Sequence, residues 1–133
     1  AALSAKPVAF DQREFTSAVP TSMAATGYVY IPAVCGKGAT VTCRVHVVYH
    51  GCGQSADLVK DDVYGKLGYN AWADSNNIIM LYPQVNPSYF PFNPQGCWDW
   101  WGYGSPVFQT KGGPQLSAVH AMVQRLTGVR APR

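Results

Sequence analysis

The chain has 133 residues, of which 47% are hydrophobic and only 13% are charged, and its formal net charge is +3. This length is enough to bury one hydrophobic core and predicts a single domain or part of one. No apolar run approaches the ~18 residues of a membrane span, and the ten basic residues are scattered, so the sequence predicts neither a membrane nor a nucleic-acid partner.

Residues 1–26 contain many Ala, Ser and Thr residues, two prolines and no sustained hydrophobic periodicity. We therefore predict an arm or linker over 1–26 and a folded portion over 27–133. The start of the chain has neither the charged nor the apolar region of a signal peptide, which indicates an interior cut in a longer precursor.

Two runs rich in β-branched and aromatic residues, 27–32 and 40–49, predict two strands that pair antiparallel. In the second run one face becomes apolar only at Val48, as expected of a central strand near its C-terminal end. The next element is a helix capped by Asp61 or Asp62, and Asn76-Asn77 ends it before a buried strand over 78–82. The apolar residues expected on this helix are Leu67, Ala71 and Trp72. Strand, helix and strand together predict a parallel βαβ unit.

The segment 83–106 is rich in Pro, Gly, Asn and aromatic residues and is too long for a simple connection, so it is expected to build a site. A last helix is predicted over 114–127, with Pro114 in its first turn and Gly128 at its end. Its expected apolar face comprises Leu116, Val119, Val123 and Leu126. These elements predict an α/β fold with an antiparallel N-terminal strand pair, a βαβ unit and a C-terminal helix.

The four cysteines are Cys35, Cys43, Cys52 and Cys97, and no two of them have the C-x-x-C spacing of a zinc ribbon or redox motif. Disulfides are therefore expected, and of the three possible pairings we favour Cys35 with Cys43 and Cys52 with Cys97. Disulfides place the protein in an oxidising compartment, outside the cell or in a periplasm. Four buried free thiols in a cytosolic chain are the alternative.

An apolar strand runs directly into the glycine-flanked turn His50-Gly51-Cys52-Gly53. Such a loop is typical of serine hydrolases that present backbone N–H groups to a developing oxyanion, and an ordinary strand-to-loop turn is the alternative. No G-x-S-x-G nucleophile elbow occurs anywhere in the 133 residues. His50 is expected to hydrogen-bond its own loop rather than act as a base.

Three of the four tryptophans lie within four positions, and a tyrosine follows them: Trp98, Trp100, Trp101 and Tyr103. Exposed rings of this kind bind apolar or sugar-like substrates, whereas buried ones would form a small core under a long loop. Between the tryptophans, Asp99 either orients a base or caps a turn.

Metal and nucleophile signatures are missing from the sequence. His46, His50 and His120 lack the spacing and the neighbouring carboxylates of a metal site, so we expect no metal and no cofactor. Ser55 and Ser105 lie near glycines, but neither is placed on a strand-to-helix elbow, and we nominate neither as a nucleophile.

The chain resembles the secreted poly(3-hydroxybutyrate) depolymerase family of α/β hydrolases, in its circularly permuted, fungal-type single-domain branch. Six segments in register carry the resemblance: KPVAFDQ at 6–12, TGYVYIP at 26–32, VVYHGCGQ at 47–54, GYNAWAD at 68–74, LYPQ at 81–84 and NPQGCWDW at 93–100. The resemblance implies that 27–133 is the C-terminal portion of an α/β-hydrolase catalytic domain. This portion would lack the half that carries the nucleophile elbow.

The same resemblance implies a role for each site residue. The Cys52 backbone N–H would be an oxyanion-hole donor, Cys52 and Cys97 would be bridged, and the aromatic segment 98–103 would line the crevice for a polyester strand. The Ser-Asp-His triad would lie on a complementary N-terminal chain, so this chain alone should be inactive. The implied function is hydrolysis of poly(3-hydroxybutyrate)-type polyester by a secreted serine esterase.

Two other functions remain open from the sequence. The absent nucleophile favours a noncatalytic module whose Trp-rich segment binds a polymer or a glycan. A related esterase that cleaves feruloyl or acetyl esters would differ only in the shape of its pocket, which the sequence does not show.

Overall fold

A computed structural model describes residues 2–128. Its strands are β1 (Val8–Asp11), β2 (Thr26–Tyr30), β3 (Arg44–Val47) and β4 (Ile78–Tyr82), and its helices are α1 (Ala56–Val59), α2 (Asp62–Lys66), α3 (Tyr69–Asn76) and α4 (Pro114–Thr127). Short 3-10 helices cover Gln12–Glu14 and Ala33–Cys35. None of these helices is both long enough and apolar enough to cross a membrane.

The four strands form one mixed sheet in the order β1-β2-β4-β3. β1 and β4 each pair antiparallel with β2, and β3 pairs parallel with β4. The α/β class and the parallel βαβ unit are therefore confirmed. The antiparallel pairing of 27–32 with 40–49 is wrong, because β4 lies between these two runs and the N-terminal antiparallel pair consists of β1 and β2.

Residues 1–26 were expected to form an arm or linker, and this expectation is wrong for the part that pairs with the sheet. β1 forms four register pairs with β2, from Val8 with Val29 to Asp11 with Thr26. The Gln12 side chain is fully buried and donates through Nε2 to the carbonyl oxygens of Ala24 (2.7 Å) and Gln84 (2.9 Å). The strand has only four residues and is half exposed, so no hydrophobic period marks it.

The single helix predicted after Asp61 is instead two short helices, α2 and α3, and the equally short α1 precedes Asp61. Asp61 occupies the N-cap position of α2 without a side-chain capping bond, and its carboxylate pairs with Lys66 at 3.0 Å. The predicted apolar face is wrong, because Leu67 and Trp72 are 61% and 70% exposed, whereas Ala73 is buried. Asn77 ends α3 as predicted, in a left-handed conformation with φ of 54°.

Helix α4 has the predicted bounds, Pro114–Thr127, and Gly128 terminates it with φ of +70°. Its buried residues are Ala118, Val119 and Met122, and the last two pack with Leu81 of β4. Leu116 was expected on the apolar face of this helix but is 43% exposed.

The sheet has a hydrophobic cluster on each face, because alternate residues of β4 point in opposite directions. Met80 and Tyr82 join one cluster together with Tyr30, Val48 and Ala73. On the other face, Leu81 packs against α4. The C-terminal end of β3 therefore lies between two packed layers, and the loop that follows it emerges at the surface.

Candidate active site

Hydrogen bonds from its own backbone N–H groups hold the loop that follows β3 in place. Gly51 N–H donates to Gln54 Oε1 (2.9 Å), Gln54 N–H donates to Gly51 O (3.2 Å), and Gly53 N–H donates to Gln95 O (2.7 Å). Cys52 is exposed, and its N–H has no acceptor among residues 2–128. Of these four backbone N–H groups, the one of Cys52 is therefore left free, in a loop that the other three hold in place.

Glycine is required at one position of this loop and is favoured at a second. Gly53 has φ of +70°, a conformation that other residues rarely adopt. A Cβ at Gly51 would lie 2.8 Å from Gln54 Oε1, so any side chain there would displace the amide that accepts the Gly51 N–H. Both glycines flank Cys52, the residue that carries the free donor.

The structure contains both favoured disulfides, Cys35–Cys43 and Cys52–Cys97. The second joins the loop to the start of the tryptophan-rich segment, with a sequence separation of 45. Asn93 is fully buried and fixes Cys97 on both sides, accepting from its N–H and donating to its carbonyl oxygen at 2.9 Å each. The loop and the aromatic segment therefore form one braced unit.

His50 lies at the base of the loop and is only 5% exposed. Its Nε2 accepts from the Val85 N–H (3.1 Å), so Nδ1 carries the proton and donates to Gly51 O (2.7 Å). Burial lowers the pKa of the ring below its ordinary value, because the imidazolium is poorly solvated there. Both nitrogens are occupied, so His50 supports its own loop and is not placed to act as a base.

An open cleft of about 310 Å³ borders this unit. Its walls are mainly apolar and include Tyr49, Trp98, Trp100, Phe108 and Leu116. Trp98 packs edge-on against Tyr49, with ring centroids 4.8 Å apart. The indole Nε1 of Trp98 is buried and has no hydrogen-bond partner among the described residues.

The four predicted substrate-binding residues differ in their surroundings. Trp98 and Trp100 line the cleft, and Trp100 is 69% exposed. Trp101 is 44% exposed and packs between Trp100 and Tyr103. The Tyr103 hydroxyl donates to Cys97 O (2.6 Å) and accepts from Gln115 Nε2 (2.7 Å), and burial raises its pKa to about 12. Tyr103 therefore braces the segment, whereas Trp100 presents a free ring.

Asp99 caps a turn, one of the two roles left open by the sequence. Its carboxylate accepts from the backbone N–H groups of Gly102 (2.6 Å), Tyr103 (3.0 Å) and Gly104 (2.9 Å). Its own N–H donates to Gln115 Oε1 (2.8 Å). These bonds fix the path of the chain immediately after Trp98.

Three residues that line the cleft, and two exposed aromatic residues elsewhere, were not predicted as functional residues. Tyr49, Phe108 and Leu116 line the cleft although they come from three separate stretches of sequence. Tyr89 and Phe90 are 93% and 84% exposed in the proline-rich segment that precedes Asn93. The many aromatic residues beside prolines in the sequence could have indicated Tyr89 and Phe90. No local sequence pattern marks Tyr49, Phe108 or Leu116.

The described residues contain no assembled nucleophile. Between residues 2 and 128, no serine or threonine hydroxyl hydrogen-bonds a histidine nitrogen. The hydroxyl of Ser55 is buried without a partner. Within the same range, no group of three His, Cys, Asp or Glu side chains is placed to hold a metal ion. The described residues therefore offer a free backbone donor and an aromatic cleft.

Comparison with known proteins identifies relatives of this chain. No family model matches the chain. It is 45% identical over 120 residues to a poly(3-hydroxybutyrate) depolymerase of Delftia acidovorans, covering 90% of this chain and 23% of that protein. It is also 45% identical over 114 residues to a polyhydroxybutyrate depolymerase of Talaromyces funiculosus, covering 78% of this chain and 33% of that protein.

The chain is also similar to solved structures of PHB depolymerases. The crystal structure of a PHB depolymerase from Penicillium funiculosum superposes with a TM-score of 0.87 at 37% identity, over 98% of this chain and 43% of that one. A serine-to-alanine variant of PHB depolymerase complexed with an R3HB trimer matches equally well. The chain thus spans less than half the length of each of these relatives and is homologous to one portion of them.

Proposed function

We infer, from this homology to the poly(3-hydroxybutyrate) depolymerases, that the chain forms the C-terminal part of a secreted serine esterase that hydrolyses polyester. The single observation that carries the proposal is the free Cys52 N–H in a loop whose other donors are all used. A complementary N-terminal portion supplies the Ser-Asp-His triad.

The proposed chemistry is acyl transfer. The serine of the complementary portion attacks the ester carbonyl, its histidine takes the serine proton and later returns it to the leaving alcohol, and negative charge develops on the carbonyl oxygen. The Cys52 N–H donates to that oxygen. A donor held in place before the reaction stabilises the transition state without reorganisation, and one such donor contributes roughly 3 to 4 kcal/mol.

The cleft suits an uncharged, partly apolar strand. Trp98 and Trp100 offer ring faces, and Phe108 and Leu116 add apolar surface. A hydroxybutyrate polyester presents methyl groups and neutral esters, which pack against such rings without leaving a charge unpaired. We assign substrate contact to Trp98, Trp100 and Trp101, and we assign Tyr103 the role of holding the segment in place.

Reconstitution tests the proposal. The chain is mixed with the portion of the Talaromyces funiculosus depolymerase that lies outside the matched segment, which we call the complementary Talaromyces portion. Hydrolysis of p-nitrophenyl butyrate and of a hydroxybutyrate trimer is expected only from the mixture. Hydrolysis by the chain alone, or none by a folded complex, would contradict it. Feruloyl and acetyl esters as parallel substrates separate a polyester esterase from a cell-wall esterase.

A noncatalytic polymer-binding module is the second candidate, and the exposure of Trp100 and Trp101 favours it. Such a module binds without a partner. The chain alone is therefore tested for pull-down on polyester granules and on insoluble polysaccharide, with Trp98, Trp100 and Trp101 each changed to Ala. Binding that is strong, needs these rings and occurs without any esterase activity in the reconstituted mixture would support this function instead.

A further inference from the structure

The free Cys52 N–H shares one peptide unit with the carbonyl group of Gly51. A peptide bond that does not precede proline is planar and trans, so its C=O and N–H groups point in opposite directions. Whatever fixes the Gly51 carbonyl therefore also fixes the direction in which the Cys52 N–H points.

Two donors converge on the Gly51 carbonyl oxygen. His50 donates to it through Nδ1–H at 2.7 Å, and the Gln54 N–H donates at 3.2 Å. A carbonyl oxygen has two lone pairs, and both are therefore used here. The shorter bond comes from a ring that is buried, whereas Gln54 is exposed. His50 thus holds this peptide from the interior of the protein.

The His50 ring is held in turn by the peptide between Gln84 and Val85, which follows β4. Its Nε2 accepts from the Val85 N–H at 3.1 Å. At the other end of the same peptide, the Gln84 carbonyl accepts from Ala24 N–H (3.0 Å) and from the buried Gln12 Nε2 (2.9 Å). The donor that holds the ring is therefore anchored in the core.

These hydrogen bonds all run in one direction, and we call the series the relay. It starts at Gln12 Nε2, and each group after it accepts at one end and donates at the other: the Gln84–Val85 peptide, the His50 ring and the Gly51–Cys52 peptide. Hydrogen bonds aligned in this way polarise one another, and a low dielectric strengthens each of them. The Cys52 N–H is the last donor of the relay, so every bond before it makes it a better donor.

His50 has the chemistry that the centre of the relay needs. The group at this place has to accept from one peptide and donate to another, and a neutral imidazole ring carries one acceptor and one donor nitrogen on a rigid frame. Trp98, which lines the cleft, lies beside the ring with centroids 5.7 Å apart. Two bonds and this packing leave the ring little freedom to turn.

We propose that the relay positions and polarises the Cys52 N–H for the oxyanion, and that His50 is the positioning residue at its centre. This inference rests on the function proposed above, which gives the Cys52 N–H an oxyanion to bind. His50 acts through the Gly51 carbonyl and does not reach the substrate. Its loss is therefore expected to lower kcat and to leave KM unchanged, as for an interaction that strengthens only in the transition state.

Two substitutions separate the two nitrogens of His50. Counted in bonds from Cα, an asparagine amide nitrogen replaces Nδ1, and a glutamine amide oxygen replaces Nε2. His50→Asn therefore keeps the donor to Gly51 O and loses the acceptor of the Val85 N–H, whereas His50→Gln does the reverse. The Asn variant is expected to be the less stable of the two in urea, because Val85 is fully buried while Gly51 O keeps its bond from Gln54.

Activity is expected to follow the opposite order. Each variant is combined with the complementary Talaromyces portion and assayed on a hydroxybutyrate trimer. We expect kcat to be about tenfold lower for His50→Gln than for His50→Asn at equal KM, a part of the roughly 10²–10³-fold effect of removing an oxyanion donor outright. Equal kcat values in two folded complexes would overturn the relay and leave the proposed function intact. No hydrolysis by a folded complex of the unaltered chain would overturn both.

If a variant does not fold, a measurement on the unaltered chain decides. The chain is produced with ¹⁵N-labelled histidine and combined with the unlabelled complementary Talaromyces portion, so that only its own histidines are observed. His46 and His120 are exposed, so their ring protons exchange rapidly with water. When a fluorophosphonate forms a tetrahedral adduct on the serine, the Nδ1–H resonance of His50 is expected to move downfield, because the adduct oxygen strengthens the bonds of the relay. An unchanged resonance would contradict the proposal.

Discussion

The Nε2 atom of His50 accepts a hydrogen bond from the backbone N–H of Val85, and this bond exists only while the ring is neutral. Burial lowers the pKa of His50 in the folded chain below its ordinary value of about 6.5. As the pH falls through 6.5, the unfolded chain takes up the proton first. The contribution of His50 to folding stability is therefore expected to be constant above this pH and to decline below it, until the folded ring also titrates.

Urea unfolding at several values between pH 5 and pH 8 measures this effect. His50→Gln is the matched variant, because an amide offers one donor and one acceptor but does not titrate. The variant is expected to lose the decline between pH 6.5 and pH 5. A decline of the same size in both proteins would show that another group is responsible. His46 and His120 remain present in the variant.

Replacing Cys52 by Pro removes the free N–H that we assign to the oxyanion. Cys52→Ser keeps the N–H and breaks the same disulfide, so it is the control, and both variants also carry Cys97→Ser to avoid a lone thiol. In the reconstituted enzyme, kcat for a hydroxybutyrate trimer is expected to be about 10²–10³ lower for Pro than for Ser. Equal kcat values in two folded complexes would exclude the Cys52 N–H as a donor.

Gln12 tests whether residues 1–26 belong to the folded core. Its buried amide makes three bonds with backbone groups, donating to Ala24 O and Gln84 O and accepting from Gln84 N–H. Gln12→Ala leaves these groups unpaired and is expected to lower the free energy of unfolding by about 3 kcal/mol. The neighbouring Arg13 side chain is 73% exposed, and Arg13→Ala is expected to have no measurable effect. Equal effects of the two changes would contradict the burial of this segment.

Substitution of Trp100 is expected to weaken substrate binding, whereas substitution of Tyr103 is expected to lower stability. Trp100→Ala removes a ring that is 69% exposed, so stability should change by less than about 0.5 kcal/mol while KM for the trimer rises. Tyr103→Phe removes the hydroxyl between Cys97 O and Gln115, so stability should fall by about 1 to 2 kcal/mol. Unfolding and trimer kinetics on the same two variants check both. An unchanged KM in the Trp100 variant would remove it from the substrate site.

The elements that the sequence predicts well are those with local signals. Helix α4 has Pro114 in its first turn and Gly128 in a left-handed conformation after its end, and its bounds match the prediction. Strand pairing was predicted from adjacency along the chain. This failed because β4, distant in sequence, lies between β2 and β3. Strand order depends on long-range packing, which no short pattern encodes.

The candidate site was predicted only in part for the same reason. The glycines around Cys52 mark a tight loop, so the loop was visible in the sequence. The cleft was not, because its wall joins Tyr49 and Trp98 to Phe108 and Leu116, and only the fold brings these together. The predicted apolar face of the helix after Asp61 was wrong for a related reason, because Trp72 is apolar but 70% exposed.

Covalent labelling with a fluorophosphonate probe, followed by intact-mass measurement, tests the division of roles most directly. The chain alone, the complementary Talaromyces portion and their mixture are each treated with the probe, which reacts with activated serines. We expect the mixture to gain one label, carried by the complementary portion, and the chain to stay unlabelled in every sample. A label on the chain itself would show that it contains its own nucleophile and would contradict the account.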